Sequence, residues 1–264
     1  MNLTKILIPI IKDAAKIMLS AQDADAENSI SNKSGDANFV TYYDKATQDY
    51  LIEKITEAIP AATFVAEEKE NDYSILMGEF VFVIDPIDGT TNFIHGFCHS
   101  SISVACVSRG KTVFGAVYNP YRDEMFYAEL GSGAYLNGKK ISVSKREMRE
   151  AIFSFGSSPY YKDELGRKSF DLAYAVFRES ADLRRTASAA LDFAYLAAGR
   201  IDMFFEYRLS PWDYAAGELI LTEAGGKVTD MDGKPLRLSE PCSIVAANAL
   251  CYDRLFEITT EMLK

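Results

Sequence analysis

Apolar positions recur with helical spacing at the start of the chain. Leu3, Ile6, Leu7, Ile10, Ile11, Ala14, Ile17 and Met18 fall on one face, so a first helix is expected there. Pro9 either kinks that helix or marks its effective start. The stretch Asn28 to Asn38 is rich in Ser, Asn, Asp and Gly and reads as a loop. A second helix is expected over Lys45 to Ala58, with Leu51, Ile52 and Ile55 inward and Pro60 ending it. Thr63 to Ala66 is a short strand that runs into Glu67 and Glu68. The unbroken apolar run from Phe80 to Ile84 reads as a strand covered on both faces, and it stops at Asp85.

The pattern then turns to β. Ser101 to Val107, Thr112 to Tyr118 and Glu124 to Ala128 are successive strands, with turns at Arg109-Gly110 and Asn119-Pro120. Asn137-Gly138 is a tight-turn signal, and Ala151 to Phe155 is a further strand. Helices are expected over Lys162 to Arg178 and Ala187 to Ala198, the latter capped by Gly199. Met203 to Phe205 is a strand, Asp213 to Ala224 a helix stopped by Gly225-Gly226. Val228 to Asp230 and Ser243 to Ala246 are short strands before a closing helix over Tyr252 to Leu263. Helices and strands mix without strict alternation, which favours an α+β sandwich of stacked layers over a doubly wound fold. No linker separates independent units. The expected organisation is one domain over residues 1–264, its halves (about 1–145 and 146–264) sharing a core.

The charge balance narrows the partners. With 28 Lys and Arg against 38 Asp and Glu, the net charge is −10. An acidic surface argues against nucleic acid or an anionic membrane as the main partner. It also repels phosphorylated substrates, a conflict that bound divalent cations would relieve locally. The 4 cysteines, Cys98, Cys106, Cys242 and Cys251, form no zinc spacing. They read as free thiols in a reducing cytoplasm. The apolar patch Ile6 to Ile11 is too short for a signal-peptide core, and no segment approaches a membrane span.

The candidate chemistry sits in acidic residues at the ends of apolar elements: Asp44 just ahead of the second helix, Glu67 and Glu68 after a strand, Asp85 and Asp88 after another, and Asp213 at a helix start. Taken singly, each is an ordinary cap or solvated group, and Asp213 alone reads as an N-cap. Together they form the oxygen-rich ligand set that hard cations require. Gly89 lets the backbone pass close to a ligand, and Thr90-Thr91 opens a helix whose free N–H groups attract anions. Paired divalent ions in such a set suit hydrolysis of a phosphate monoester. His95 and His99 are the only histidines and adjoin no nucleophile elbow, and no Walker A loop is present.

The run Asp85-Pro86-Ile87-Asp88-Gly89-Thr90-Thr91-Asn92-Phe93 resembles the signature of the inositol monophosphatase family. Trp212-Asp213-Tyr214-Ala215-Ala216-Gly217, continued by Glu223-Ala224-Gly225-Gly226, is similar to its second signature. Val40 to Asp44 and Ala66-Glu67-Glu68 match two further motifs in the same order, and the likeness extends to Val245-Ala246-Ala247-Asn248.

The resemblance implies a layered αβαβα sandwich, commonly homodimeric, dependent on two or three Mg²⁺ ions and sensitive to lithium. It implies that Glu67, Asp85 and the Ile87 carbonyl bind one metal, and that Asp85, Asp88 and Asp213 bind a second. Thr90, oriented by Asp44, would help activate the attacking water, with Glu68 nearby. The Gly89 and Thr90 amides would receive the phosphate. Glu206 would contact substrate hydroxyls, with Ser188 and Ala189 close to substrate, and Lys33 would lie near the metals.

Two departures stand out: Ala187 occupies a position where the family often has Gly, and Ala66 replaces a common Gly. Thr91-Asn92 follows the inositol-type subgroup, where relatives acting on phosphoadenosine phosphate carry Lys-Glu. The expected substrate is a small phosphorylated polyol, inositol monophosphate first. Fructose bisphosphate, NADP or another nucleotide phosphate are the alternatives, followed by a non-catalytic protein that binds cations or phosphate.

Overall fold

Pro9 does not start the first helix: it lies inside α1, which spans Leu3–Ser20 and is capped by Asn2, whose side chain accepts from the Lys5 N–H at 2.9 Å. Pro9 lies on the exposed face, so the carbonyl that its ring leaves without an N–H faces water. The structure, a computed structural model, describes residues 1–21, 30–32 and 39–263. Within the expected Asn28 to Asn38 loop, Ile30–Asn32 is instead a strand, β1, paired antiparallel with β2 (Phe39–Thr41). Lys33 and the question of closure over the site lie outside the described residues.

The second helix, α2, spans Tyr42–Ala58, which places Asp44 inside its first turn rather than ahead of it. There follow β3 (Thr63–Ala66), β4 (Val81–Asp88), the short α3 (Thr90–Ile94), β5 (Ser101–Ser108), β6 (Lys111–Asn119) and β7 (Glu124–Glu129). The hairpin β8 (Ala134–Leu136) and β9 (Lys139–Ile141) turns at Asn137 and Gly138, both with φ > 0. The second half comprises β10 (Ile152–Phe155), α4 (Arg167–Phe177), β11 (Asp182–Arg184), α5 (Ala189–Ala197), β12 (Met203–Leu209), α6 (Pro211–Glu223), β13 (Lys227–Thr229), β14 (Cys242–Ala247) and α7 (Tyr252–Met262). The helix expected over Lys162 to Arg178 is split into a wide π turn over Lys162–Gly166 and then α4. Gly166, a weak helix former, sits at the joint. The strand β11 was not anticipated.

Two sheets organise the molecule. The 7-stranded sheet has the order β3-β4-β5-β6-β7-β8-β9, and the 5-stranded sheet the order β11-β10-β12-β14-β13. In the larger sheet only β3 and β4 run parallel. Strand alternation divides each sheet between two cores. Phe82 and Ile84 of β4 pack with Leu7, Ile11 and Leu51 of α1 and α2, whereas Val81 and Val83 face α5 and α6. On β12, Phe204 joins the central layer, while Met203 and Phe205 meet Leu172 of α4 and Leu255 of α7. The result is an α+β sandwich layered αβαβα, with α5 and α6 buried between the sheets and packed against both. Gly115 of β6 lets α6 come close: a Cβ there would lie 2.7 Å from the Ala216 carbonyl oxygen.

Candidate active site

The site opens at the C-terminal end of β4. That strand does not stop at Asp85 but continues through Pro86 to Asp88, where Asp85 pairs with Ser103 and Asp88 with Ser101. The intervening register shift is a bulge, and Pro86, which has no N–H to donate, sits in the segment that needs no ladder bond. The bulge aims both aspartates at one cleft. The Asp85 carboxylate also accepts from the Ile87 N–H at 3.0 Å. Gly89 follows with φ 88°, and a Cβ there would meet the Ala187 carbonyl oxygen at 2.9 Å, so left-handed geometry and close approach both demand glycine.

Thr90 opens α3. Its hydroxyl lies 3.2 Å from Asp44 Oδ1 and 3.1 Å from the Ile87 carbonyl, and both Thr90 and Asp44 are buried. One O–H proton thus has two acceptors, and the oxygen's lone pairs stay available towards the cleft. Asp44 lies behind Thr90 and does not line the cleft. Nor does Glu68, whose backbone N–H donates to Gln48.

Asp213 arrives from α6. The N-cap is Ser210, not Asp213; Asp213 is three residues in and accepts from the Ser210 N–H at 2.7 Å in a capping box. The helix start is tied to β5 by Ser103, whose hydroxyl donates to the Trp212 carbonyl. Asp88 is gripped most tightly. It accepts from the Ser188 hydroxyl, from the Ala189 and Ala190 N–H groups at 3.2 and 3.0 Å, and from Ser101 Oγ at 3.4 Å. Asp85, Asp88 and Asp213 each present an oxygen within 4.8 Å of the others, and Glu67 lines the same cleft.

This packing of acid groups is costly for their charged forms. Burial, then repulsion from Glu67, Asp88 and Asp213, pushes the Asp85 carboxyl well above the usual carboxylate range. Asp213 is raised likewise, by burial first and then by Glu67 and Asp88. Asp88 is pushed up to about 6 by burial, opposed by its hydrogen bonds from Ser188 and Ala190. Buried carboxylates converging on one cleft are the donor set of a hard divalent ion, so these residues fit Mg²⁺.

The cleft holds about 480 Å³ and is asymmetric in charge. Its floor is acidic, and Glu206 on β12 forms one wall. Glu206 accepts from the Ser158 N–H and hydroxyl, and burial pushes its carboxyl up to about 7 against the pull of Arg185. Arg185 and Arg208 line the rim, the former on Ser157 Oγ and the latter over the Tyr161 ring at 4.8 Å. Gly156 leaves room for this wall as it stands, since a Cβ there would lie 1.9 Å from the Glu206 carboxyl and displace it. Gly156, Arg185, Arg208 and Tyr160 are lining residues that sequence reasoning missed, and no motif or period distinguishes them.

The family model for the inositol monophosphatase family matches residues 1–263. The chain belongs to the inositol monophosphatase family. Within that family it is 42% identical to the Nus factor SuhB of Escherichia coli over 203 residues, 76% of this chain and 75% of that one. It is 36% identical to the fructose-1,6-bisphosphatase/inositol-1-monophosphatase of Thermotoga maritima over 238 residues, 90% and 88% of the two chains. The extragenic suppressor protein suhB of Bartonella henselae superposes with a TM-score of 0.89 at 32% identity, over 99% of both chains. A Thermotoga maritima inositol monophosphatase gives 0.88 at 32% identity, over 100% and 98%.

Proposed function

We propose that this family member is a Mg²⁺-dependent phosphate monoester hydrolase, with inositol monophosphate as its leading substrate. The observation that carries the reading is the convergence of Asp85, Asp88 and Asp213 beside the Thr90–Asp44 pair. Two or three divalent cations bound there would offset the charge of carboxylates and phosphate and make a nearby water easier to deprotonate. Glu67, Asp85, Asp88, Asp213 and the Ile87 carbonyl would hold the cations. Thr90, with its proton directed to Asp44, would orient the water, and Glu68 would support it from outside the cleft lining. The Gly89 and Thr90 amides would receive the phosphate, and Glu206, with Ser188 and Ala189 beside it, would select the alcohol. Cytoplasmic residence and a homodimer, as in the family, belong to the same reading. Among the described residues, no helix is long and apolar enough to cross a membrane.

Arg185 and Arg208 favour a second substrate reading. Guanidinium groups at the rim of an acidic cleft would welcome a second anionic group, as in fructose bisphosphate. A role limited to binding cations or phosphate would leave the Thr90 hydroxyl between Asp44 and the Ile87 carbonyl without a purpose. Phosphate release from inositol phosphate, fructose bisphosphate, NADP and phosphoadenosine phosphate, with and without Mg²⁺, tests the proposal. Mg²⁺-dependent release, highest on inositol phosphate, is expected. Preference for the bisphosphate would transfer the lead to the second reading, and no release from any of the four would refute both.

A further inference from the structure

The turn Thr186-Ala187-Ser188 combines features that the reading above leaves unused. Ala187 has φ 65°, a left-handed conformation that penalises any residue with a Cβ. Glycine would accept it freely. Something outside the turn must therefore hold Ala187 there. Two ties are present. Asn92 Nδ2 of α3 donates to the carbonyls of Thr186 at 2.7 Å, Ala187 at 3.4 Å and His99 at 2.7 Å. From the other side, the Thr186 hydroxyl faces both oxygens of Asp192, at 2.7 and 2.8 Å.

Asp192 is a buried carboxyl with no cationic partner among the described residues, exposed by only 2%. It lines the same cleft, within reach of the charges of Asp88 and Glu206. Its hydrogen-bonded route to the site runs through the turn. Immediately after Ala187, the Ser188 hydroxyl and the Ala189 and Ala190 amides all donate to Asp88.

We propose that Asp192 is a positioning residue: by holding Thr186 it keeps Ala187 left-handed, and so keeps the three donors of Ser188, Ala189 and Ala190 on Asp88. This inference rests on the reading of Asp88 as a cation ligand. If the Thr186 tie is cut, Ala187 relaxes towards negative φ and Ser188 swings away. Asp88 then loses the donors that orient it, and cation affinity falls. Burial pushes the Asp192 carboxyl up to about 8, so asparagine is a close stand-in for its neutral form.

The test is Mg²⁺ binding by calorimetry on the full chain, alongside phosphate release. Asp192→Leu and Thr186→Val should each raise the Mg²⁺ dissociation constant by about tenfold or more, the effect typical of removing a group that orients a ligand. Asp192→Asn should bind close to wild type. Adding Ala187→Gly to Thr186→Val should recover most of the lost affinity, because glycine needs no tie. If Asp192→Leu does not fold, the near-isosteric Thr186→Val carries the test. Native affinity in Thr186→Val, an Asp192→Asn as defective as Asp192→Leu, or no recovery from Ala187→Gly would each overturn the proposal. A wild-type chain that binds no Mg²⁺ would instead sink the reading of Asp88, and this inference with it.

Discussion

Asp88 combines two features in one side chain. Backbone and hydroxyl donors fix its orientation, and its position opposite Asp85 and Asp213 suits it to the cation-ligand role proposed above. Asp88→Asn keeps the size and the acceptor oxygen but removes the charge. It should weaken Mg²⁺ binding and slow phosphate release by at least about 100-fold, with circular dichroism unchanged. Unaltered turnover would remove Asp88 from the mechanism. Glu206 should behave differently, because it lies on the wall and not the floor. Glu206→Ala should shift the preference among phosphate esters by about tenfold, read as a change in the ratio of kcat/KM values. An equal loss on every ester would refute a selectivity role. At this scale the motif residues were legible, since aspartates and a glycine at fixed spacing advertise their chemistry. Arg185, Arg208 and Gly156 were not: an arginine in a loop or a glycine after a strand carries no mark of what it will face.

At the scale of elements, β4 shows how a proline can lie within a strand. Pro86 would break a regular ladder, and the expectation that the strand ends at Asp85 follows from that. The bulge between Asp85 and Asp88 absorbs it and turns both carboxylates to one side. The Asp213 N-cap expectation failed for a related reason. Ser210 took the cap position, since Pro211 suits the first helical residue, and this left Asp213 in the first turn, where its carboxylate reaches both the Ser210 amide and the cleft. The layers also rely on contacts without side chains. Gly115→Ala on β6 would drive a methyl into the Ala216 carbonyl, which backbone cannot easily relieve. Urea unfolding should show a loss of about 1–3 kcal/mol. An unchanged midpoint would mean that β6 and α6 can separate freely.

For the whole molecule, buried acids make stability depend on pH and on cations. Asp192 and Glu206 hold their protons more tightly folded, at about 8 and about 7, than at their ordinary values of 3.8 and 4.5. Their contribution is therefore complete below pH 4, declines as pH rises, and is gone once pH passes those folded values. The cation-free chain should accordingly unfold more easily at pH 8 than at pH 5, with each group adding a slope of up to about 1.4 kcal/mol per pH unit in its window. Asp192→Asn should flatten that slope in denaturant titrations, and a slope unchanged by this variant would contradict the assignment. Mg²⁺ at a hundredfold excess over its dissociation constant should raise Tm by roughly 5–10 °C, since it binds only the folded arrangement of carboxylates. A Tm indifferent to Mg²⁺ would argue that the acidic floor binds no cation.

Local pattern carried most of the inventory, though not β1, β11 or the break before α4. Periods of 3.6 and 2 mark helices and strands, and carboxylates at element ends name hard-cation chemistry, because both signals are carried by neighbours in the chain. Packing decided the rest. Asp88 meets Ser188 across 100 positions and Thr90 meets Asp44 across 46, separations over which no periodicity operates. The left-handed Ala187, the split of the Lys162 to Arg178 helix and the arginine rim became visible only once two sheets had closed around α5 and α6. Contacts of that kind depend on which surfaces are pressed together, and that is a property of the folded layers rather than of any short stretch of chain.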